Sequence, residues 1–494
     1  VNQYQRTNNT NTRITSDLVI LFSNKMVATA ASFVLSQFQV RILGVVCLVW
    51  ITTPFGQLCH GGGVHSFPLI TPTATRASTT TLSRMRSIHN DGVGRIKMEP
   101  KRHVSQSLTT TATSSSSDNN LAPDETITTT LSSSMTTSSS YWTFRGHKIY
   151  TEVSKPALSS SSSSSSLSTK PSVLLVHGFA CSSTYWRETK RALVENGYQN
   201  VHCMDLLGQG KSEKPGRADG IEYSIHLWAE QVDAYVTEKM LPMTTARTEP
   251  KSSNHGGIVF CGNSLGSLVV LSAVTGDFLQ TRVASTNDWN HSCKGICMFN
   301  CGVGLNSRGI ANEDQWTPFQ RFLINSVYNV LDVLVFRNTA LLTYVLDTVV
   351  TKELLRDTLK SLYKCQPDRV DEELVDSFYL PAKDVGSVEA LSQIYTNDPG
   401  ATPMDLHRKY ENDATDTTDA DANKKIILSK IPIHLIWGDD DAVTPLGGGV
   451  GQYYMTMASN RDNVSFQVVS GGHIPFDDNP MDSHKSMLQW LDQL

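Results

Sequence analysis

Ile258-Val-Phe-Cys-Gly-Asn-Ser-Leu-Gly-Ser267 decides how this chain is read. The four apolar residues at 258–261 suit a short buried strand, and residues 268–278 follow with the composition of a helix. Between them lies Gly262-Asn-Ser-Leu-Gly266, a G-x-S-x-G sequence in the strand–turn–helix setting that gives this pattern its meaning. A chain that turns so sharply holds Ser264 in a strained conformation, and side chains at 262 or 266 would strike neighbouring backbone. The turn lifts the Ser264 hydroxyl above the sheet and aims the next helix's N-terminus at it. Ser264 is therefore the candidate nucleophile.

The same alternation extends outward. Short apolar runs at 173–177, 201–205, 296–299, 431–437 and 464–469 read as further strands. Residues 223–240 and 480–494 read as helices, the last with Met487, Leu488, Leu491 and Leu494 on one face. Residues 142–153 read as a β-hairpin around Arg145-Gly146-His147. Strands alternating with helices imply an α/β fold with a mostly parallel sheet covered on both faces. Residues 307–424 break the rhythm. They are helical, apolar across 319–350 and 354–362, and polar at 412–425. An inserted helical cap at 307–424 thus divides a core formed by 141–306 and 425–494.

The chain before residue 141 is different. An apolar run at 42–51 follows Arg41 and is too short for the ~20 residues of a membrane span. It suits a signal-peptide core within an N-terminal extension at 1–66. Residues 67–140 are Ser/Thr-rich, and Arg76, Arg84, Arg86, Arg95, Lys97, Lys101 and Arg102 face only Asp91 and Glu99 among nearby acids. That is transit-peptide composition. A signal followed by a transit peptide resembles the bipartite plastid presequence of algae with secondary plastids, with Phe67 after Ser66 at the cleavage point, where that family usually has Ala before the Phe. A plastid location is expected, and secretion is the alternative. The Ser/Thr-rich linker at 104–140 and the serine run at 159–166 bury too little apolar surface to order themselves, so disorder is expected there.

The whole chain carries 42 Lys+Arg against 47 Asp+Glu, a net charge of −5, with the acidic excess after residue 140. An acidic body without a basic stripe excludes nucleic acid as a partner. Nine irregularly spaced cysteines form no disulfide framework. His291, Cys293, Cys297 and Cys301 match no common zinc spacing, and 295–301 reads as a buried strand with cysteine as a small apolar filler. No metal or cofactor is expected.

A serine hydroxyl needs a base. His473 lies in Gly471-Gly-His-Ile-Pro475, just after the last strand, where a loop can bring an imidazole to the top of the sheet. The acid should end the preceding strand, and Trp437-Gly-Asp-Asp-Asp441 offers Asp439, Asp440 and Asp441. Asp441 is favoured, because acid loops in such folds read G-x-x-D. The oxyanion donors should be the backbone N–H groups of Leu265, after the nucleophile, and of Phe179 in His177-Gly-Phe. His177 reads as a structural hydrogen-bonding residue.

Together, His177-Gly-Phe179, Asp205-Leu-Leu-Gly-Gln-Gly-Lys-Ser212, Gly262-Asn-Ser-Leu-Gly266, Trp437-Gly-Asp-Asp-Asp441 and Gly472-His-Ile-Pro475 resemble the plastid α/β-hydrolases that include pheophytinase and chlorophyll dephytylase. Val370-Asp-Glu-Glu-Leu-Val375 and Ile394-Tyr-Thr-Asn-Asp-Pro-Gly-Ala-Thr-Pro403 are similar to cap segments of that group. The resemblance covers about 141–494. One departure is Ser267, where the group usually has a third glycine; it should be tolerated, with altered helix packing behind Ser264.

The resemblance implies an α/β-hydrolase fold and a serine esterase with a Ser264–His473–Asp441 triad. Its substrate would be the phytyl ester of a chlorophyll-type tetrapyrrole, a lipophilic small molecule. Contact with the thylakoid surface or pigment proteins would follow, while the oligomeric state is left open. One alternative is cleavage of other small esters or of carbon–carbon bonds in keto acids. It would call for basic cap residues such as Arg308, Arg321 or Arg337 facing the site. A non-catalytic ligand receptor on the same fold is another.

Overall fold

The computed structural model describes residues 110–111, 127–132, 135–157, 170–241, 257–278, 292–306, 308–309, 317–411 and 428–494. The signal-like run at 42–51, the basic stretch at 76–102, the serine run at 159–166, the polar stretch at 412–425 and His291 lie outside them.

One ten-stranded sheet organises these residues. Its strands are β1 (Thr110–Thr111), β2 (Ile127–Ser132), β3 (Met135–Phe144), β4 (His147–Pro156), β5 (Ser172–Val176), β6 (Val201–Met204), β7 (Ile258–Asn263), β8 (Cys293–Phe299), β9 (Ile433–Gly438) and β10 (Val464–Val469). Their order in space is β1-β2-β3-β4-β6-β5-β7-β8-β9-β10. The run from β6 to β10 is parallel, and β1 to β4 join it antiparallel. The chain passes from β5 to β6 and then returns across β5 to β7. Ligands bind where the strand order reverses in this way, beyond the carboxyl ends of the strands.

β5, β6, β7 and β9 are buried along their whole length, which explains their continuous apolar runs. Alternate residues feed two cores. Leu174, Val176 and Phe260 pack with the helices Ile225–Tyr235, Leu265–Thr275 and Gly449–Asn460. Val173, Leu175 and Val259 pack with Arg187–Glu195, Pro480–Leu491 and the cap. β10 is the edge strand and buries only Val464 and Val469.

Two elements depart from the sequence reading. The predicted hairpin at 142–153 is longer, because β3 begins at Met135 and pairs with β4 through to Pro156. Arg145 (φ 50°) and Gly146 (φ 85°) make its two-residue turn, which needs positive φ at both positions. Residues 135–140, read above as the end of a disordered linker, are thus strand, and Ile127–Ser132 pairs beside them. Threonine suits a pleated surface, Met135 and Thr137 are buried, and the Thr137 and Ser154 hydroxyls bond across the pair at 2.8 Å. The second departure is the last helix. It ends at Leu491, burying His484, Met487, Trp490 and Leu491, and leaves Leu494 exposed beyond it.

The cap consists of the helices Pro318–Leu331, Thr339–Tyr344, Lys352–Leu362, Glu372–Ala382, Ser387–Thr396 and Pro403–Tyr410. The family-like segments serve as joints. Asp371 caps the helix Glu372–Ala382 by accepting from Leu374 N at 2.9 Å. Asn397 donates to Tyr223 O at 2.9 Å and accepts from Arg217 Nη2 at 2.7 Å. Phe319, Phe322, Val333 and Leu334 lie exposed on the cap. Among the described residues no single helix is long and apolar enough to cross a membrane.

Candidate active site

Ser264 sits between β7 and the helix Leu265–Thr275 with φ 53° and ψ −120°. That conformation is costly for a residue with a side chain and persists only where the surroundings impose it. Here they do. A Cβ on Gly262 would lie 2.5 Å from the Gly266 carbonyl and Ser267 N, and one on Gly266 would lie 2.3 Å from Val176 O. Both glycines therefore let the strand, the turn and β5 come together. Ser264 N donates to Phe299 O at 2.9 Å and Ser264 O accepts from Gly302 N at 3.0 Å, which pins the turn to the end of β8. Ser267 Oγ donates to Gly262 O at 2.9 Å, so its hydroxyl is absorbed as a brace behind the turn.

His473 and Asp441 come from the loops after β10 and β9. The His473 Nδ1–H donates to Asp441 Oδ2 at 2.8 Å. Asp441 is fully enclosed, and it also accepts from Val443 N (2.7 Å), Thr444 N (3.1 Å), Thr444 Oγ1 (2.7 Å) and Asn300 Nδ2. Burial alone would raise its pKa. The His473 charge and the hydrogen bonds from His473, Thr444 and Asn300 outweigh burial and hold the carboxyl below its ordinary value. The two neighbouring carboxylates point elsewhere. Asp439 accepts from Gly471 N at 3.0 Å, and exposed Asp440 pairs with Lys364 at 3.6 Å. Asp441 is thus the one of the three that the fold brings to His473.

Ser264, Leu265, Phe179 and His473 all line one cavity of about 250 Å³ beneath the cap. Ser264 and His473 make no direct hydrogen bond in this geometry; such contacts commonly tighten only with substrate present. Asn263 Nδ2 ties the turn to the histidine loop by donating to His473 O at 3.3 Å. Phe179 follows Gly178, where a Cβ would lie 3.2 Å from the Ser264 Cβ, so β5 and β7 meet closely at their ends. Within the described residues, the N–H groups of Phe179 and Leu265 have no acceptor. His177 is buried, with Nδ1–H donating to Gly178 O at 2.7 Å and Nε2 accepting from Leu206 N at 3.0 Å. Burial lowers its pKa, and those two bonds require the neutral ring. It ties strand ends together and does not line the cavity.

The cavity's other walls are mainly apolar and come from the cap: Val335, Phe336, Leu342, Val345, Leu346 and Leu359. Tyr395 joins the two halves. Its ring stacks on Phe336 at 4.2 Å and meets Phe179 edge-on at 5.5 Å. Asn300, Thr444 and Asn263 were not identified from sequence. Asn300 has φ 46° just after β8, and no motif in the chain marks it. Cys297 and Cys301 are buried with β8, their thiol pKa values raised by burial.

A model of the alpha/beta hydrolase family matches residues 173–483. No curated protein matches the chain. Several solved structures are similar at low identity. A hydrolase from Pseudomonas aeruginosa PA01 is 13% identical over 72% of this chain and 98% of its own, with a TM-score of 0.44. A haloalkane dehalogenase loop variant from Bradyrhizobium elkanii is 14% identical over 73% and 97%, with a TM-score of 0.45. A bromoperoxidase from Bacillus anthracis is 15% identical over 70% and 96%, with a TM-score of 0.42.

Proposed function

The chain belongs to the alpha/beta hydrolase family, and from that premise we propose that it hydrolyses a lipophilic carboxylic ester through an acyl-enzyme on Ser264. His473 Nε2 takes the Ser264 proton as Oγ attacks the ester carbonyl. Asp441 accepts the Nδ1–H, fixes the tautomer and stabilises the imidazolium. The N–H groups of Phe179 and Leu265 receive the developing oxyanion. His473 then gives its proton to the departing alkoxide, releasing the alcohol. Water, deprotonated by His473, attacks the acyl-enzyme and frees the acid and Ser264.

One observation carries this reading: the fold turns Asp441 to His473 and sets His473 and a strained Ser264 on the same cavity. A pure receptor has no use for a strained serine beside an oriented imidazole, which disfavours the non-catalytic alternative. The apolar cap wall supports a lipophilic substrate. It disfavours a small keto acid, because among the described residues none of Arg308, Arg321 and Arg337 lines the cavity, and Arg308 and Arg337 both reach toward Asp332.

Within that class we favour the phytyl ester of a chlorophyll-type tetrapyrrole, on the cap segments and the plastid-like presequence. A plastid location and contact with the thylakoid surface belong to the same proposal, and the exposed apolar side of the cap suits such contact. To test it, the full chain and Ser264→Ala are incubated with pheophytin, chlorophyll and p-nitrophenyl butyrate, and products are separated by chromatography. Dephytylated pigment from the unaltered chain alone is expected. Turnover of the short ester without pigment would overturn the tetrapyrrole assignment, and equal turnover by Ser264→Ala would overturn the mechanism.

A further inference from the structure

The loop after β6 reads Asp205-Leu-Leu-Gly-Gln-Gly-Lys-Ser212, and its Gln209 is used by nothing in the mechanism above. The side chain is only 4% exposed, and the residue lines the same cavity as Ser264, Phe179 and Leu265. Its Oε1 accepts from Ala180 N at 2.7 Å. Ala180 follows Phe179 and holds φ 57°, so this bond braces the strained turn that carries one oxyanion donor. The bond also decides which way the carboxamide faces. Ala180 N–H needs an acceptor, so the oxygen must point at it and the –NH2 must point away. That Nε2 is buried and has no partner among the described residues. A buried donor left unpaired is costly. At the wall of a reaction cavity such a group calls for an explanation, and an acceptor that arrives with the substrate supplies one.

We propose that the Gln209 side-chain N–H is a third donor to the oxyanion formed when Ser264 attacks, beside the N–H groups of Phe179 and Leu265. This rests on the ester-hydrolase reading above. It makes Gln209 a catalytic residue with two functions: Oε1 shapes the turn and Nε2 binds the developing charge. An apolar ester could leave its other contacts to the cap and still be held firmly at its one polar point.

The two functions separate by substitution. Gln209→Glu keeps an acceptor for Ala180 N but, when ionised, has no donor. Gln209→Met removes both. The full chain is labelled with a fluorophosphonate, whose P=O oxygen occupies the oxyanion position as Ser264 is phosphonylated, and thermal midpoints check folding. At pH 8 both variants should label about 10²-fold more slowly than the unaltered chain. As the pH falls to 5, a buried glutamate gains its proton and again offers both an acceptor and a donor. The Gln209→Glu rate, taken as a ratio to the unaltered chain at each pH, should therefore recover, while the Gln209→Met ratio stays flat. If Gln209→Glu labels at the unaltered rate at pH 8, Gln209 is only a brace and the proposal fails. A pH-independent Gln209→Glu deficit fails it equally. If the unaltered chain does not label, or Ser264→Ala labels as fast, the ester-hydrolase reading itself falls. Should Gln209→Met not fold, the Gln209→Glu ratio alone decides.

Discussion

The N–H of Gly472 donates to the buried carboxylate of Asp478 at 2.9 Å. Gly472 precedes His473, and the same carboxylate accepts from Lys364 N, Cys365 N and Gln366 N in the cap at 2.9, 2.9 and 2.8 Å. The approach is so close that a Cβ on Gly472 would lie 1.9 Å from Leu362 O. The histidine loop and the cap are one hydrogen-bonded unit.

Asp478→Asn would set an amide –NH2 against backbone N–H donors whichever way it flips. A loss of about 3 kcal/mol in unfolding free energy is expected, together with lower kcat on the ester. Urea denaturation and steady-state kinetics read the two effects. A variant with unaltered kinetics would show that the clamp does not position His473.

The three adjacent carboxylates give a graded series. Asp441→Asn places an amide where His473 Nδ1–H must donate, and kcat should fall by about 10³–10⁴. Asp440→Asn touches only an exposed pair with Lys364 and should stay within about twofold, as exposed pairs contribute little. Asp439→Asn weakens the bond to Gly471 N and should fall between them. Rates measured on one ester for all three variants check the ranking.

Ser267→Ala removes the bond from Ser267 Oγ to Gly262 O and leaves the helix otherwise unchanged. Stability should drop by about 1 kcal/mol with kcat little altered, since the oxyanion N–H groups stay in place. Ser267→Gly restores the residue usual in the resembling group, and should cost about 1 kcal/mol more through helix propensity.

Burial pushes the pKa of His202 and of His407 down to about 3, and that of His434 and of His484 down to about 4. In the unfolded chain each titrates near 6.5. Between those values the unfolded state binds protons that the folded state refuses. Stability is therefore full above about pH 6.5 and falls as pH drops from there towards 4, by up to about 1.4 kcal/mol per pH unit for each histidine. Urea midpoints at pH 7.5, 6 and 5 should decrease in that order, and a flat profile would contradict the burial of these rings.

The central parallel strands β5, β6, β7 and β9 were legible because each is buried along its whole length, which leaves continuous apolar runs such as Val173–Val176 and Ile258–Cys261. The turn at Ser264 was legible because steric need leaves glycines at 262 and 266. The choice among Asp439, Asp440 and Asp441 depends on which side chain the loop turns inward, and no one-dimensional pattern carries that. Asn300 acts through side-chain hydrogen bonds with the distant Gly438 N and Asp441, so nothing beside it in the chain marks it, and the motif around Gln209 does not show that its side chain meets Ala180 N. Met135–Ser140 misled for a different reason. Hydroxyl-rich composition resembles a linker, yet beside a paired strand the same residues satisfy one another. Leu494 misled because periodicity does not say where a helix stops.

That early start of β3 has a bearing on where the chain can be cut. A cut at residue 140 would divide β3 and strip Met135 and Thr137 from their buried places beside β4. β3 is therefore whole only in a chain that begins before Met135. A recombinant form begun at Tyr141 would expose the hydrogen-bonding edge of β4 along its second half, residues 151–156, an invitation to aggregation.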